Sequence, residues 1–125
     1  MAKILIIDDS ALSRRLLRRI VESAGHQAIE AIDGVAGLEA YFLERPDLVL
    51  LDLTMPGMYG LDVLKKLREL DPTARVLVAS ADIQSFTQEL ALQAGAMGFI
   101  TKPFVAGPVL AAITSALTSA SGGKP

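Results

Sequence analysis

Asp8 and Asp9 follow the run Lys3-Ile4-Leu5-Ile6-Ile7, Asp52 follows Leu48-Val49-Leu50-Leu51, Ser80 follows residues 75–79 and Lys102 follows residues 98–101. Each run is short, largely apolar and continuous, the pattern of a strand buried on both faces of a parallel sheet. The carboxyl ends of such strands fall on one edge, where open α/β sheets place their chemistry. Three aspartates, a serine and a lysine therefore converge. Carboxylates held close repel and raise one another's pKa values. A hard divalent cation resolves the conflict, since Mg²⁺ takes oxygen ligands, keeps several waters and is often shared with phosphate. Lys102 adds a positive charge and Ser80 a hydroxyl donor. The set suits a phosphoryl group with charge spread over its oxygens, and Asp52, the middle carboxylate, is its natural nucleophile.

The elements that must position these residues follow from the intervening sequence. Ser10 is an N-cap for a first helix over 11–24, with Leu12, Leu16, Leu17, Ile20, Val21 and Ala24 as its apolar stripe and Gly25 closing it. Residues 26–30 alternate weakly and predict a second strand toward a sheet edge. Asp33-Gly34 signals a turn before a second helix over 35–44, with Leu38, Tyr41 and Phe42 apolar and Pro46 beyond its end. Pro56-Gly57 stops the third strand, 48–51. Leu61, Leu64, Leu67 and Leu70 mark a third helix, closed by Asp71-Pro72. The fourth strand is 75–79. Asp82 caps a fourth helix over 83–94, ended by Gly95. The fifth strand is 98–101 and the fifth helix 107–117. Five βα units with short connections predict one α/β domain, a parallel sheet with helices on both faces. The domain takes residues 1–118, and 119–125 has the composition of a flexible tail.

Bulk properties exclude other classes. A chain of 125 residues holds one core. Its net charge of −2 gives no pull toward nucleic acid or an anionic membrane surface, so direct nucleic-acid binding is not expected. The absence of cysteine removes thiol nucleophiles and cysteine metal sites, and the single His26 cannot build a multi-histidine site. No apolar run approaches the roughly 20 residues of a membrane span. The amino-terminal residues enter a strand-like run without the order of a signal peptide. The expected location is cytoplasmic.

Asp8-Asp9, Asp52 within Asp-Leu-Thr-Met-Pro-Gly, Ser80 and Lys102-Pro103-Phe104, in this order on five βα units, resemble the CheY-like receiver domain of two-component response regulators. The resemblance runs from residue 3 to about 118 and implies a doubly wound, flavodoxin/CheY-like sheet in the order 2-1-3-4-5. It implies that a histidine kinase, a phosphotransfer protein or a small phosphodonor supplies a phosphoryl group to Asp52. Mg²⁺, or Mn²⁺ in its place, is then held by Asp9, Asp52 and the backbone carbonyl of Thr54, with Asp8 acting largely through water. Lys102 pairs with the acceptor or the phosphoryl, Ser80 moves to bond it, and Phe99 is the aromatic switch. The resemblance also implies a cis Lys102–Pro103 bond. The protein would then work as a single-domain regulator, or as a receiver cut from a longer regulator or hybrid kinase.

Ser80 stands where many relatives carry Thr, Phe99 where Tyr is frequent, and Thr54 where a longer polar residue is common. Thr54 is too short to orient an attacking water, so slow self-hydrolysis is expected, with Asp82 near that water. Phosphatases of the haloacid dehalogenase class share a strand-end Asp, a Ser/Thr, a Lys and Mg²⁺. They need Asp-x-Asp on the first strand, which this chain lacks. A flavodoxin-like FMN site needs a hydroxyl-rich loop where Asp8-Asp9 would repel phosphate. The protein is thus expected to catalyse only its own phosphorylation and dephosphorylation. Arg14, Arg15, Arg18 and Arg19 form either a solvated helix face or a docking face. The resemblance implies output through the fourth helix, fifth strand and fifth helix, and the fifth helix, without a charge over 107–117, favours a protein target there over a DNA-binding dimer.

Overall fold

The computed structural model describes residues 1–55, 59–81 and 84–119. In chain order the elements are β1 Lys3–Ile7, α1 Ala11–Ser23, β2 Gln27–Ala31, α2 Gly34–Glu44, β3 Leu48–Leu51, α3 Gly60–Leu70, β4 Val76–Ser80, α4 Ser85–Gln93, β5 Gly98–Thr101 and α5 Ala106–Thr118. The strands form one parallel sheet in the order β2-β1-β3-β4-β5, the doubly wound fold expected. Both β3 and β4 are buried throughout, as continuous apolar strands between two helix layers must be.

Alternation along the strands divides the core in two. Leu5, Ile7, Val49, Leu51, Val76 and Val78 face Tyr41 of α2, Val63, Leu64 and Leu67 of α3 and Ala91 of α4. Ile4, Ile6, Leu48, Leu50, Leu77 and Ala79 face Leu17 and Val21 of α1 and Val109, Ile113 and Ala116 of α5. Ile7 pairs with Leu51, Leu51 with Val78, and Ser80 with Thr101. That register sets the strand ends side by side.

Several local expectations shift. In α1 the inward positions are Ser13, Leu17 and Val21, four residues apart, while Leu12 and Leu16 are exposed. Apolar type alone does not fix the direction in which a helix turns its face. Asp33 is more than a turn residue. It caps α2, its carboxylate accepting from the Ala36 amide at 2.8 Å. Each of β2 and β4 begins and ends one residue later than the apolar pattern suggests, so Ser80 is the last residue of β4. Val109, Ile113 and Ala116 form the buried face of α5, with Leu110 and Leu117 half-buried beside them. Gly25 and Gly95 do close helices, with φ of 87° and 107°.

Arg75, just before β4, donates to the carbonyls of Leu117 at 3.0 Å and Ser119 at 2.9 Å. It ties the uncharged carboxyl end of α5 to the sheet edge where Lys3 opens β1. Ser119, assigned to a flexible tail, is thereby held in place. Residues 120–125, the Pro56-Gly57 stop and Asp82 lie outside the described residues, but α4 begins at Ser85 with Gln84 at its N-cap, two residues later than a cap at Asp82 would set it. No helix among the described residues is long and apolar enough to cross a membrane.

Candidate functional site

The loops leaving the carboxyl ends of β1, β3 and β5 bring together Asp8, Asp9, Asp52 and Lys102. Asp8 and Asp52 are buried and Asp9 is exposed. One carboxylate oxygen from each aspartate lies within 4.8 Å of the others. The Lys102 ammonium stands 3.3 Å from Asp8 Oδ2 and 3.6 Å from Asp52 Oδ2, and 6.0 Å from the centroid of the Phe104 ring. The Lys102–Pro103 peptide is cis, as expected.

Each buried carboxylate is oriented from its own loop. Asp8 Oδ1 accepts from the Ser10 amide at 2.9 Å. Asp52 Oδ1 accepts from the Thr54 amide at 3.3 Å and from its hydroxyl at 3.1 Å, and the same hydroxyl reaches Oδ2 at 3.4 Å. Asp8 Oδ2 is different. It is buried, faces Lys102 at ion-pair distance without hydrogen-bond geometry, and finds no hydrogen-bond partner among the described residues. Burial pushes the Asp8 carboxyl above its ordinary range and the charge of Asp52 pushes it further. The Ser10 amide and Lys102 pull it back only in part.

Three carboxylates around one ammonium leave excess negative charge, and a buried carboxylate oxygen without a donor is costly. A divalent cation taking oxygen ligands fits both features. Its ligands would be aspartate oxygens already gathered within reach.

Ser80 is buried at the end of β4. Phe99, paired with Val78 in the ladder, is half-buried against the α2, α3 and α4 side of the core. His26 accepts the Ala2 amide on Nδ1 at 3.0 Å, a structural role away from the acids.

One positioning residue escaped the sequence reading. Gly60, the first residue of α3, packs on the strand end that carries Asp52. A Cβ there would lie 2.2 Å from the Asp52 carbonyl oxygen and 2.4 Å from Leu53 Cα. Only glycine lets α3 approach that closely. A glycine opening an apolar helical run, where no turn demands it, was the available signal.

The sequence model of the response regulator receiver domain matches residues 4–114. This chain belongs to that family. As a receiver it is similar to the chemotaxis protein CheY of Thermotoga maritima, 40% identical over 89% of this chain and 93% of that protein. It is 37% identical to the sporulation initiation phosphotransferase F of Bacillus subtilis over 82% of each chain. The receiver fold also matches the solved CheX–CheY–BeF3–Mg2+ complex from Borrelia burgdorferi. There the TM-score is 0.90 at 34% identity, over 94% of this chain and 90% of that one.

Proposed function

We propose that this receiver accepts a phosphoryl group on Asp52 from a histidine kinase or phosphotransfer protein, in a reaction requiring Mg²⁺ or Mn²⁺. The observation that carries the reading is the placement of Asp52. It is buried, turned by Thr54, within reach of the Lys102 ammonium, and grouped with Asp8 and Asp9. An Asp52 oxygen attacks phosphorus as the donor's bond to phosphorus breaks, and the donor leaves with that electron pair. Lys102 steadies the charge on the phosphoryl oxygens. Asp8, Asp9, Asp52 and the Thr54 carbonyl would hold the divalent ion, which supplies charge neutralisation where phosphoryl oxygens and carboxylates crowd together. Residues 1–118 constitute the receiver unit.

Ser80 and Phe99 are assigned the switch. The Ser80 hydroxyl bonds the phosphoryl group, and Phe99 repacks on the face built from α4, β5 and α5. Output goes to a protein partner through that face. The surface of α5 supports this, because its exposed residues are Ala, Gly, Pro, Thr and Ser. The similar Borrelia protein was solved bound to CheX with BeF3 and Mg2+, a protein partner in the presence of a phosphoryl mimic.

The test is intact mass after incubation with acetyl phosphate. One phosphoryl group is expected with Mg²⁺, none in excess chelator, and none on Asp52→Asn under either condition. Unchanged uptake by Asp52→Asn would overturn the assignment.

A further inference from the structure

Asp9 is the exposed member of the acidic cluster, and among the described residues no side chain holds its carboxylate. Its place is set by the backbone. The preceding carbonyl, that of Asp8, lies beyond the last β1 residue. There it accepts from Arg14 Nη1 at 2.6 Å, a short, charge-assisted bond. A peptide unit is planar, so fixing the Asp8 oxygen fixes the plane from which the chain enters Asp9. The Arg14 guanidinium is itself braced. Its Nε donates to Glu30 Oε1 at 3.0 Å from β2, and the Arg14 side chain is only 13% exposed. Arg18 holds the other oxygen of Glu30 and donates to the Ala28 carbonyl at 3.2 Å. The Arg14 amide returns to the Ser10 carbonyl at 3.0 Å. An arginine on α1 thus spans from the edge strand to the peptide between the two acids.

We propose that Arg14 is a positioning residue for the divalent ion. Braced by Glu30, it holds the Asp8 carbonyl and so directs Asp9 toward Asp8 and Asp52. This inference rests on the metal-dependent reading above, and it explains part of the arginine cluster as neither a solvated nor a docking face. Its sign separates it from simple electrostatics. Arg14 is a cation near a cation site, so deleting its charge alone would strengthen Mg²⁺ binding. Loss of positioning weakens it.

The experiment is Mg²⁺ titration by calorimetry on the unphosphorylated full chain, with melting temperatures recorded alongside. Arg14→Gln is expected to weaken Mg²⁺ binding about tenfold, the lower end of the effect of losing a residue that orients metal ligands. Arg14→Lys keeps the charge but reaches only one of the two acceptors, and should recover part of the loss. Glu30→Ala removes the brace together with a negative charge, and both losses weaken binding, so Arg14→Lys, weaker than wild type at unchanged charge, carries the test if Arg14→Gln folds poorly. Arg18→Gln removes an equal charge from the same glutamate without touching Asp8, and should bind Mg²⁺ at least as tightly as wild type. Wild-type or tighter binding by folded Arg14→Gln overturns the proposal, as does wild-type binding by Arg14→Lys if Arg14→Gln does not fold. Absence of Mg²⁺ binding by the wild-type protein overturns the metal reading beneath it.

Discussion

At Asp8, burial and function pull in opposite directions. Its carboxyl is raised above its ordinary value of 3.8, first by burial and then by Asp52. A carboxyl raised in the folded state stabilises the fold most below its unfolded value. That stability is lost as pH rises through the folded value. An ionised Asp8 is therefore a burden that a bound cation relieves. Asp8→Asn should raise the melting temperature of the metal-free protein at pH 7. A gain of ~1 kcal/mol corresponds to roughly 4 °C for a chain of this size. Added Mg²⁺ should raise the wild type more than the variant. Calorimetry with and without Mg²⁺ checks both, and a variant that melts lower than wild type would contradict them. The acids and Lys102 were legible in the sequence because each directly follows an apolar run. Gly60 was not, because what its missing Cβ would strike is the Asp52–Leu53 backbone, a neighbour supplied only by the fold.

Among the elements, a polar contact ties α2 to the residue that closes α3. Tyr41 donates from α2 to Oδ2 of Asp71, the residue that closes α3, at 2.7 Å. Burial, then Asp71, pushes the Tyr41 phenol well up. The Thr73 hydroxyl, then Tyr41, holds the Asp71 carboxyl below its ordinary range. A lowered carboxyl contributes stability above its unfolded value and loses it as pH falls through its folded value. Tyr41→Phe should cost about 1 kcal/mol at pH 7 in urea unfolding, and the difference should shrink on acidification below the ordinary Asp range. A loss of equal size at both pH values would show that the ring's packing, not the bond, is responsible. The bounds of β3 and β5 were readable because each is a short apolar run between strong breakers. The buried face of α1 was not, because Leu12 and Leu16 match Leu17 in type while Ser13 takes an inward place. The direction of a helix depends on where the neighbouring strand leaves it, as the Ser13 amide on the Ser10 hydroxyl illustrates. The role of Asp33 as a cap was hidden because the same dipeptide signals a turn.

For the whole molecule, the uncharged exposed surface of α5 bears on assembly. Dimers joined by salt bridges across the α4, β5 and α5 face need charges that α5 does not offer. Light scattering with beryllofluoride and Mg²⁺ should find a monomer, as it should without them. A tight activation-dependent dimer, broken by changes in α4 or α5, would show a different output mode. The Arg75 clasp has a practical consequence of another kind. It leaves Ser119 on the same edge of the sheet as Lys3, with the aspartates at the far edge. Either position can therefore carry a handle. Attached to a biosensor surface through Lys3 or through Ser119, the protein turns its acidic crevice toward the solution, and a kinase phosphotransfer domain flowed over it should give the same affinity from both mountings.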